Sequence, residues 1–190
     1  MVKHLYLMRH GETLFNVYRR IQGWCDSPLT EKGINQAKLA RTYLKDIPFD
    51  HYYCSSSERA CDTLEIVTEG KVPYTRLKGL KECYFGVFEG QSEDLNPPFD
   101  KYDTVFPIYG GESGDQLKKR MMDTLTEVME KEDHQIVLAV SHIGASSNFA
   151  RLVDPTCITE KFSNCEALHF TYEDGKFAFV EKLKLPKTTD

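Results

Sequence analysis

The sequence predicts an α/β fold: a three-layer sandwich in which a mixed, mostly parallel central sheet is flanked by helices. Three observations carry that prediction. Val2 to Met8 and Gln135 to Val140 are rich in aliphatic, β-branched and aromatic residues, the pattern of buried strands. Segments of helical periodicity separate the strand-like runs. Near the C-terminus, Ala167 to Tyr172 and Phe177 to Leu185 flank Glu173-Asp174-Gly175-Lys176, a β-hairpin signal.

In chain order, Val2 to Met8 (VKHLYLM) runs straight into Arg9-His10-Gly11-Glu12-Thr13, so a buried strand delivers charge at its carboxyl end. In open α/β sheets the crevice beyond the strand ends is where ligands bind. Gly11 fits there, since a missing Cβ admits a ligand or a turning backbone. Leu14 to Trp24 reads as a short helix leading into a loop. Thr30 then caps a helix with Ile34, Ala37, Ala40, Tyr43, Leu44 and Ile47 at core spacing, stopped by Pro48.

His51 to Cys54 is a second strand, and Ser55-Ser56-Ser57 supplies cap candidates for a helix burying Ala60, Leu64 and Val67. Arg59 falls in the first turn of that helix, where the dipole disfavours a cation by about 0.3 to 1 kcal/mol. A phosphate shared by the guanidinium and the helix N–H groups would remove the conflict. Tyr74 to Leu77 is a short strand. The loop Leu80 to Gly86 then sets Glu82 among apolar and aromatic neighbours, a setting that suits a carboxyl to general acid chemistry at neutral pH; Glu89 is the rival carboxylate.

Gln91 to Gly111, with Pro97, Pro98 and Pro107, reads as an irregular, lid-like excursion. A long helix follows with Leu117, Met121, Leu125 and Val128 on one stripe and Lys118, Lys119 and Arg120 on its solvated side. The strand Gln135 to Val140 ends in Ser141-His142-Ile143-Gly144 and feeds a helix from about Ala145 to Val153, so a second histidine sits beside a helix N-terminus. The tail after Pro186 is expected to be loose.

The 190 residues suit one domain, 1–190. Six cysteines without a C-x-x-C pair signal neither a disulfide scaffold nor a zinc site and read as small, mostly buried residues. A net charge of -5 argues against nucleic acid as a partner. No apolar stretch is long enough for a bilayer and no signal pattern opens the chain, so it reads as cytoplasmic with no membrane partner. The oligomeric state is not legible.

Arg9, His10, Asn16, Arg59, Glu82 and His142 are the collected candidates. Two arginines, a helix N-terminus and an Asn make a receptor for a phosphoryl group, whose transfer depends on positioning and on stabilising charge over the equatorial oxygens. A histidine inside that receptor can be the nucleophile, because neighbouring cations keep its lone pair free. Such chemistry requires neither metal nor other cofactor. Two rival readings are weaker: Cys54 and Arg59 form C-x4-R, one residue short of the loop of cysteine-dependent phosphatases, and His10 with Glu12 makes no H-E-x-x-H.

Arg9-His10-Gly11-Glu12-Thr13 with Asn16 resembles the signature of the histidine phosphatase superfamily, the phosphoglycerate mutase-like proteins. The resemblance continues in order through Gln22-Gly23, Asp26 to Gly33, Ser55 to Ala60 with Thr63, Leu80-Lys81-Glu82 with Phe85-Gly86 and Glu89-Gly90, Gly110 to Ser113, and Val140-Ser141-His142. It implies that His10 is phosphorylated, that Arg9, Arg59 and His142 hold the phosphoryl oxygens, and that Asn16 orients the site. It further implies that Glu82 is the acid and base, with Gln22 and Gly23 near the substrate. Ile143 departs from the usual Gly after the second histidine, although its backbone N–H can still serve. The chain is shorter than the cofactor-dependent glycolytic mutases, which favours a phosphatase of small phosphorylated metabolites over a mutase; a non-catalytic phospho-ligand-binding protein is the remaining alternative. Tyr18, Arg20, Trp24, Tyr84, Phe85 and Phe88 are expected to shape the leaving-group pocket.

Overall fold

The computed structural model describes residues 1–157 and 162–186. Six strands, β1 (Lys3–Arg9), β2 (His51–Ser55), β3 (Thr75–Leu77), β4 (Ile136–Ser141), β5 (Ala167–Glu173) and β6 (Lys176–Leu183), form one sheet in the order β3-β2-β4-β1-β5-β6. β3, β2, β4 and β1 are mutually parallel, while β5 runs antiparallel to β1 and β6 antiparallel to β5. The sheet is therefore mixed and mostly parallel, as expected. Because Arg9 pairs with Ser141 and Cys54 with Val140, the ends of β1, β4 and β2 meet at one rim.

The α-helices among the described residues are α1 (Leu14–Val17), α2 (Glu31–Leu44), α3 (Glu58–Thr68), α4 (Tyr102–Ile108), α5 (Gly114–Glu130) and α6 (Ile143–Val153), of which α2, α3, α5 and α6 pack on the sheet. Alternation along β1 divides the core. Leu5 and Leu7 pack in a cluster with Leu117, Met121 and Leu125 of α5 and Phe149 of α6, whereas Met8 joins Ala37 and Ala40 of α2 and Ala60 and Leu64 of α3. Each fully buried Leu contributes about 1.5 to 3 kcal/mol, so the stripe read from the sequence anchors α5. Both central strands are apolar on both faces for this reason. No helix among the described residues is long and apolar enough to cross a membrane.

Local chemistry sets the boundaries. Thr30 caps α2 by accepting from the Gly33 N–H at 3.0 Å. α2 ends at Leu44 rather than running to Ile47, because a residue before proline is steered away from helical ψ. Asp174 and Gly175, with φ of 49° and 76°, make the two-residue turn that joins β5 to β6. The expected loose tail lies outside the described residues.

Residues 91–111 differ from the irregular stretch expected, since they hold α4 and two short 3-10 turns at Glu93–Leu95 and Phe99–Lys101. α4 carries no long apolar stripe for periodicity to detect. It is fixed by one buried ring, Phe106, whose edge contacts with Phe85, Phe88 and Tyr102 bring centroids to 4.8–5.5 Å.

Candidate active site

The strand ends place two histidines side by side. His10 follows the last residue of β1, His142 follows the last residue of β4, and their ring centroids are 5.2 Å apart at 61°. Both are buried, at 4% and 0% exposure. His10 Nδ1 lies 2.7 Å from the Gly11 carbonyl, which can only accept, so Nδ1 carries the proton and Nε2 keeps its lone pair. Arg59 Nε donates to that Nε2 at 3.3 Å. Burial above all, then the charges of Arg59 and Arg9, hold His10 well below the ordinary imidazole range. Burial and Arg59 do the same for His142.

Ser55, at the end of β2, fixes the second ring: its hydroxyl lies 2.8 Å from His142 Nε2. The other ring nitrogen, His142 Nδ1, is buried without a hydrogen-bond partner, and so is Arg9 Nε. Arg9 is held through Nη1, which donates to the Phe162 carbonyl at 2.9 Å. An unmet buried donor is costly, about 1 to 3 kcal/mol, so Arg9 Nε is suited to an anionic guest, and His142 Nδ1 joins it in the tautomer in which the Ser55 hydroxyl donates to Nε2.

Arg59 departs from expectation. It is 1% exposed, yet the first N–H of α3 is already taken by a carboxylate of the chain and is not left to share a phosphate with it. The anion beside it is Asp26: one carboxylate oxygen accepts from Arg59 Nη1 at 2.9 Å and the other from the Glu58 N–H at 2.6 Å, capping α3. Ser57 therefore provides no side-chain cap, although it stands at the cap position. Arg59 also donates to the carbonyls of Gly23 at 2.8 Å and Cys25 at 2.9 Å, which orients its Nε toward His10.

Glu82 departs in a parallel way. The carboxylate is 4% exposed, but its oxygens meet backbone N–H groups rather than the apolar surroundings expected. Oε2 accepts from Gly144 at 2.8 Å, and Oε1 accepts from Ala145 at 2.7 Å and from Cys83 at 2.8 Å. The positive end of α6 thus holds a carboxylate of the chain itself. A Cβ on Gly144 would lie 2.5 Å from Glu82 Oε1, so the close approach requires glycine there. Ile143 is the first residue of α6, and it is Gly144 that supplies the missing side chain. Gly11 turns out to accommodate backbone rather than ligand, with Gly33 O 2.6 Å from where its Cβ would be.

The remaining candidates are placed as follows. Asn16 Oδ1 accepts from the Thr13 N–H at 3.1 Å, completing a capping box on α1, and lines a hollow of about 400 Å³ with Arg9, Glu12 and Asn164. Gln22 is clamped, accepting from the Thr13 hydroxyl at 2.7 Å and donating to Ser27 Oγ at 3.0 Å. Glu89, the rival carboxylate, is a fastener: it accepts from the N–H groups of Gly23, Trp24, Cys25 and Phe85 at 2.8–3.3 Å. A second hollow of about 440 Å³ abuts Glu82 through Cys83 and Gly144, and Phe85, Tyr102 and Arg151 line it. Of the aromatic residues expected at a leaving-group pocket, Phe85 lies there and Phe88 packs on Phe106. Trp24 Nε1 donates to the Glu82 carbonyl at 3.0 Å.

Arg120 was read as part of a solvated face, and that is corrected. Its guanidinium pairs with Glu112 at 2.7 Å and donates to the carbonyls of Gly79, Lys81 and Glu82, bracing the loop that carries the buried carboxylate. Asp26, Ser55, Arg120 and Gly144 are the residues that sequence reasoning passed over. Only Asp26 left a signal, as a carboxylate available to answer the misplaced charge of Arg59.

A family model described as histidine phosphatase superfamily (branch 1) matches residues 5–183. The adenosylcobalamin/alpha-ribazole phosphatase of Salmonella typhimurium is 37% identical over 188 aligned residues, covering 93% of this chain and 89% of that protein. The phosphoglycerate mutase structure from Bacillus anthracis superposes with a TM-score of 0.84 at 28% identity, covering 95% of this chain and 92% of that one. The alpha-ribazole phosphatase structure from Shigella flexneri gives 0.82 at 26% identity, covering 98% and 99%. The two strand-end histidines lie side by side on a sheet shared with these proteins, and the family match over residues 5–183 with the 37% identical relative places the chain in the histidine phosphatase superfamily.

Proposed function

We propose that the protein is a cytoplasmic, metal-independent phosphatase that hydrolyses a small phosphomonoester through a phosphohistidine on His10. The observation that carries this reading is the lone pair on His10 Nε2, which meets Arg59 Nε beside the ring of His142, with Arg9 Nε buried and unpartnered. In the first half-reaction Nε2 attacks phosphorus, the N–P bond forms and the P–O bond to the leaving group breaks. Glu82 supplies the proton that the leaving oxygen takes up. In the second, Glu82 takes a proton from water, whose oxygen attacks phosphorus and releases inorganic phosphate with His10 restored. Arg9, Arg59 and His142 stabilise the equatorial oxygens during both transfers, and Asn16 flanks the Arg9 side of the hollow. Gln22 and Gly23 keep the loop beside Arg59 in place, and the backbone N–H of Ile143 stands at the rim.

Hydrolysis is favoured over mutase transfer by the relative at 37% identity, which is named as a phosphatase. The test measures phosphate release from alpha-ribazole phosphate, phosphoserine and 3-phosphoglycerate, together with exchange between the two phosphoglycerates. Phosphate release with no exchange supports the proposal. Exchange faster than release would make the protein a mutase, and tight phosphate binding without either would make it a binding protein.

A further inference from the structure

At the opposite rim of the sheet, where β2 and β4 begin, a second group of ionisable side chains is left unused by this chemistry. His51 opens β2, and Asp133 and His134 immediately precede β4. One ligand atom from each of the three lies within 4.8 Å of the others. Asp133 turns one oxygen to His134 Nδ1 at 2.8 Å and the other to His51 Nε2 at 3.3 Å. Ligands on a tetrahedral ion with bonds of about 2.0–2.1 Å stand roughly 3.3 Å apart, so the 3.3 Å from Asp133 to His51 already matches and the widest gap, up to 4.8 Å, must close when an ion enters.

The hydrogen bonding around His51 calls for a positive charge, which either a second ring proton or a metal ion in its place would supply. Asp50 Oδ1 lies 2.9 Å from Nδ1 while Asp133 faces Nε2, so a carboxylate stands against each ring nitrogen. A neutral imidazole has one N–H, and one of the two carboxylates must therefore confront a lone pair. Asp50 is the fixed partner, because its Oδ2 accepts from the N–H groups of Gln135 and Ile136 at 2.8 and 2.9 Å. In the neutral ring the proton then sits on Nδ1, and Nε2 is left for a cation in front of Asp133. His134 is held at both nitrogens: the Tyr53 hydroxyl, which accepts from Lys131 Nζ at 3.0 Å, donates to Nε2 at 2.7 Å, and Nδ1 faces Asp133, where a metal ion would displace the ring proton.

We propose that His51 Nε2, His134 Nδ1 and Asp133 form a binding site for a divalent transition-metal ion of the zinc class, with water in the fourth position. Two imidazoles and one carboxylate are a borderline donor set that suits zinc over calcium or magnesium. The far nitrogen of each ring is already held by an outer partner, Asp50 or Tyr53, as metal-bound histidines characteristically are. The rings stack at 3.6 Å and 13°, so coordination requires one to swing until the lone pairs converge. His51 has the freedom, with 31% of its side chain exposed against 4% for His134. The bound ion ties the turn before β4 to the start of β2, at least four residues, or about 13 Å, from the catalytic rim along β2. Its effect is therefore on stability rather than on turnover.

The whole protein, stripped with chelator and desalted, is titrated with zinc by calorimetry and with cobalt(II) by visible absorption. One saturable equivalent, a tetrahedral cobalt spectrum and a zinc-dependent rise in melting temperature are expected. His51→Ala and Asp133→Asn should each weaken that equivalent at least tenfold and abolish the melting shift while hydrolysis continues at the wild-type rate. Binding unchanged in both variants places the ion elsewhere, on cysteines or on His10 and His142, and overturns the proposal. Absence of saturable binding to wild type overturns it equally.

Discussion

Replacing Glu82 by Gln separates two contributions that the structure assigns to one side chain. The Gln oxygen can take the place of Oε1 and keep the N–H groups of Ala145 and Cys83, but its NH₂ then faces the N–H of Gly144. One charge-assisted bond is lost, a cost of about 1.5 to 3 kcal/mol. For a chain of this length that lowers the melting temperature by about 3 to 12 °C, since each kcal/mol is worth roughly 2–4 °C. Chemistry suffers separately. Loss of general acid catalysis removes about 10²- to 10⁴-fold, but only where the leaving oxygen needs a proton. With an alkyl phosphate, kcat/KM of Glu82→Gln should fall by that factor. With nitrophenyl phosphate the first step proceeds without protonation, so kcat/KM falls far less and a burst of nitrophenol precedes slow turnover. Steady-state and stopped-flow assays on both substrates read the difference. An equal loss on the two, or no loss on either, would refute the assignment of Glu82 as proton donor.

Three further outcomes are expected. His10→Ala should abolish turnover and the acid-labile, base-stable phosphoenzyme that wild type forms; full activity in this variant would remove His10 as nucleophile. Arg120→Met strands Glu112 and frees the 79–82 carbonyls, so it should cost about 2 to 3 kcal/mol in urea denaturation and slow turnover without touching the phosphoryl site. His10 and His142 both have folded pKa values depressed well below that of the unfolded chain, so at lower pH the unfolded state binds their protons first. Stability is then full above about pH 6.5 and falls below it by up to about 1.4 kcal/mol per pH unit for each ring, and His142→Ala should flatten the slope of stability against pH by one ring's share.

Much of this was legible because strands and helices announce themselves by apolar spacing. β1, β4, the α5 stripe and the β5–β6 turn follow directly from Leu5-Tyr6-Leu7-Met8, Ile136 to Val140, Leu117 to Val128 and Asp174-Gly175. The juxtaposition of His10 and His142 followed from each ending a central strand. What escaped the sequence was pairing over long separation. Nothing local says that Asp26 will cap a helix beginning at Glu58, that Ser55 will set the His142 ring, or that Arg120 will reach back to the carbonyls of Gly79 and Lys81. Charged residues at helical spacing read as a solvated face, and only the fold shows that one of them lies over a loop. α4 escaped for a different reason: a ring-on-ring cluster leaves no period.

The four backbone N–H groups gathered by Glu89 have a bearing on how such a protein diversifies. By joining residues 23–25 to Phe85, a single carboxylate sets the distance between the loop whose carbonyls hold Arg59 and the loop that carries Glu82. The segment bearing α4, which walls the hollow beside Glu82 through Tyr102, Asp103 and Phe106, lies outside that frame and can vary without moving the groups within it.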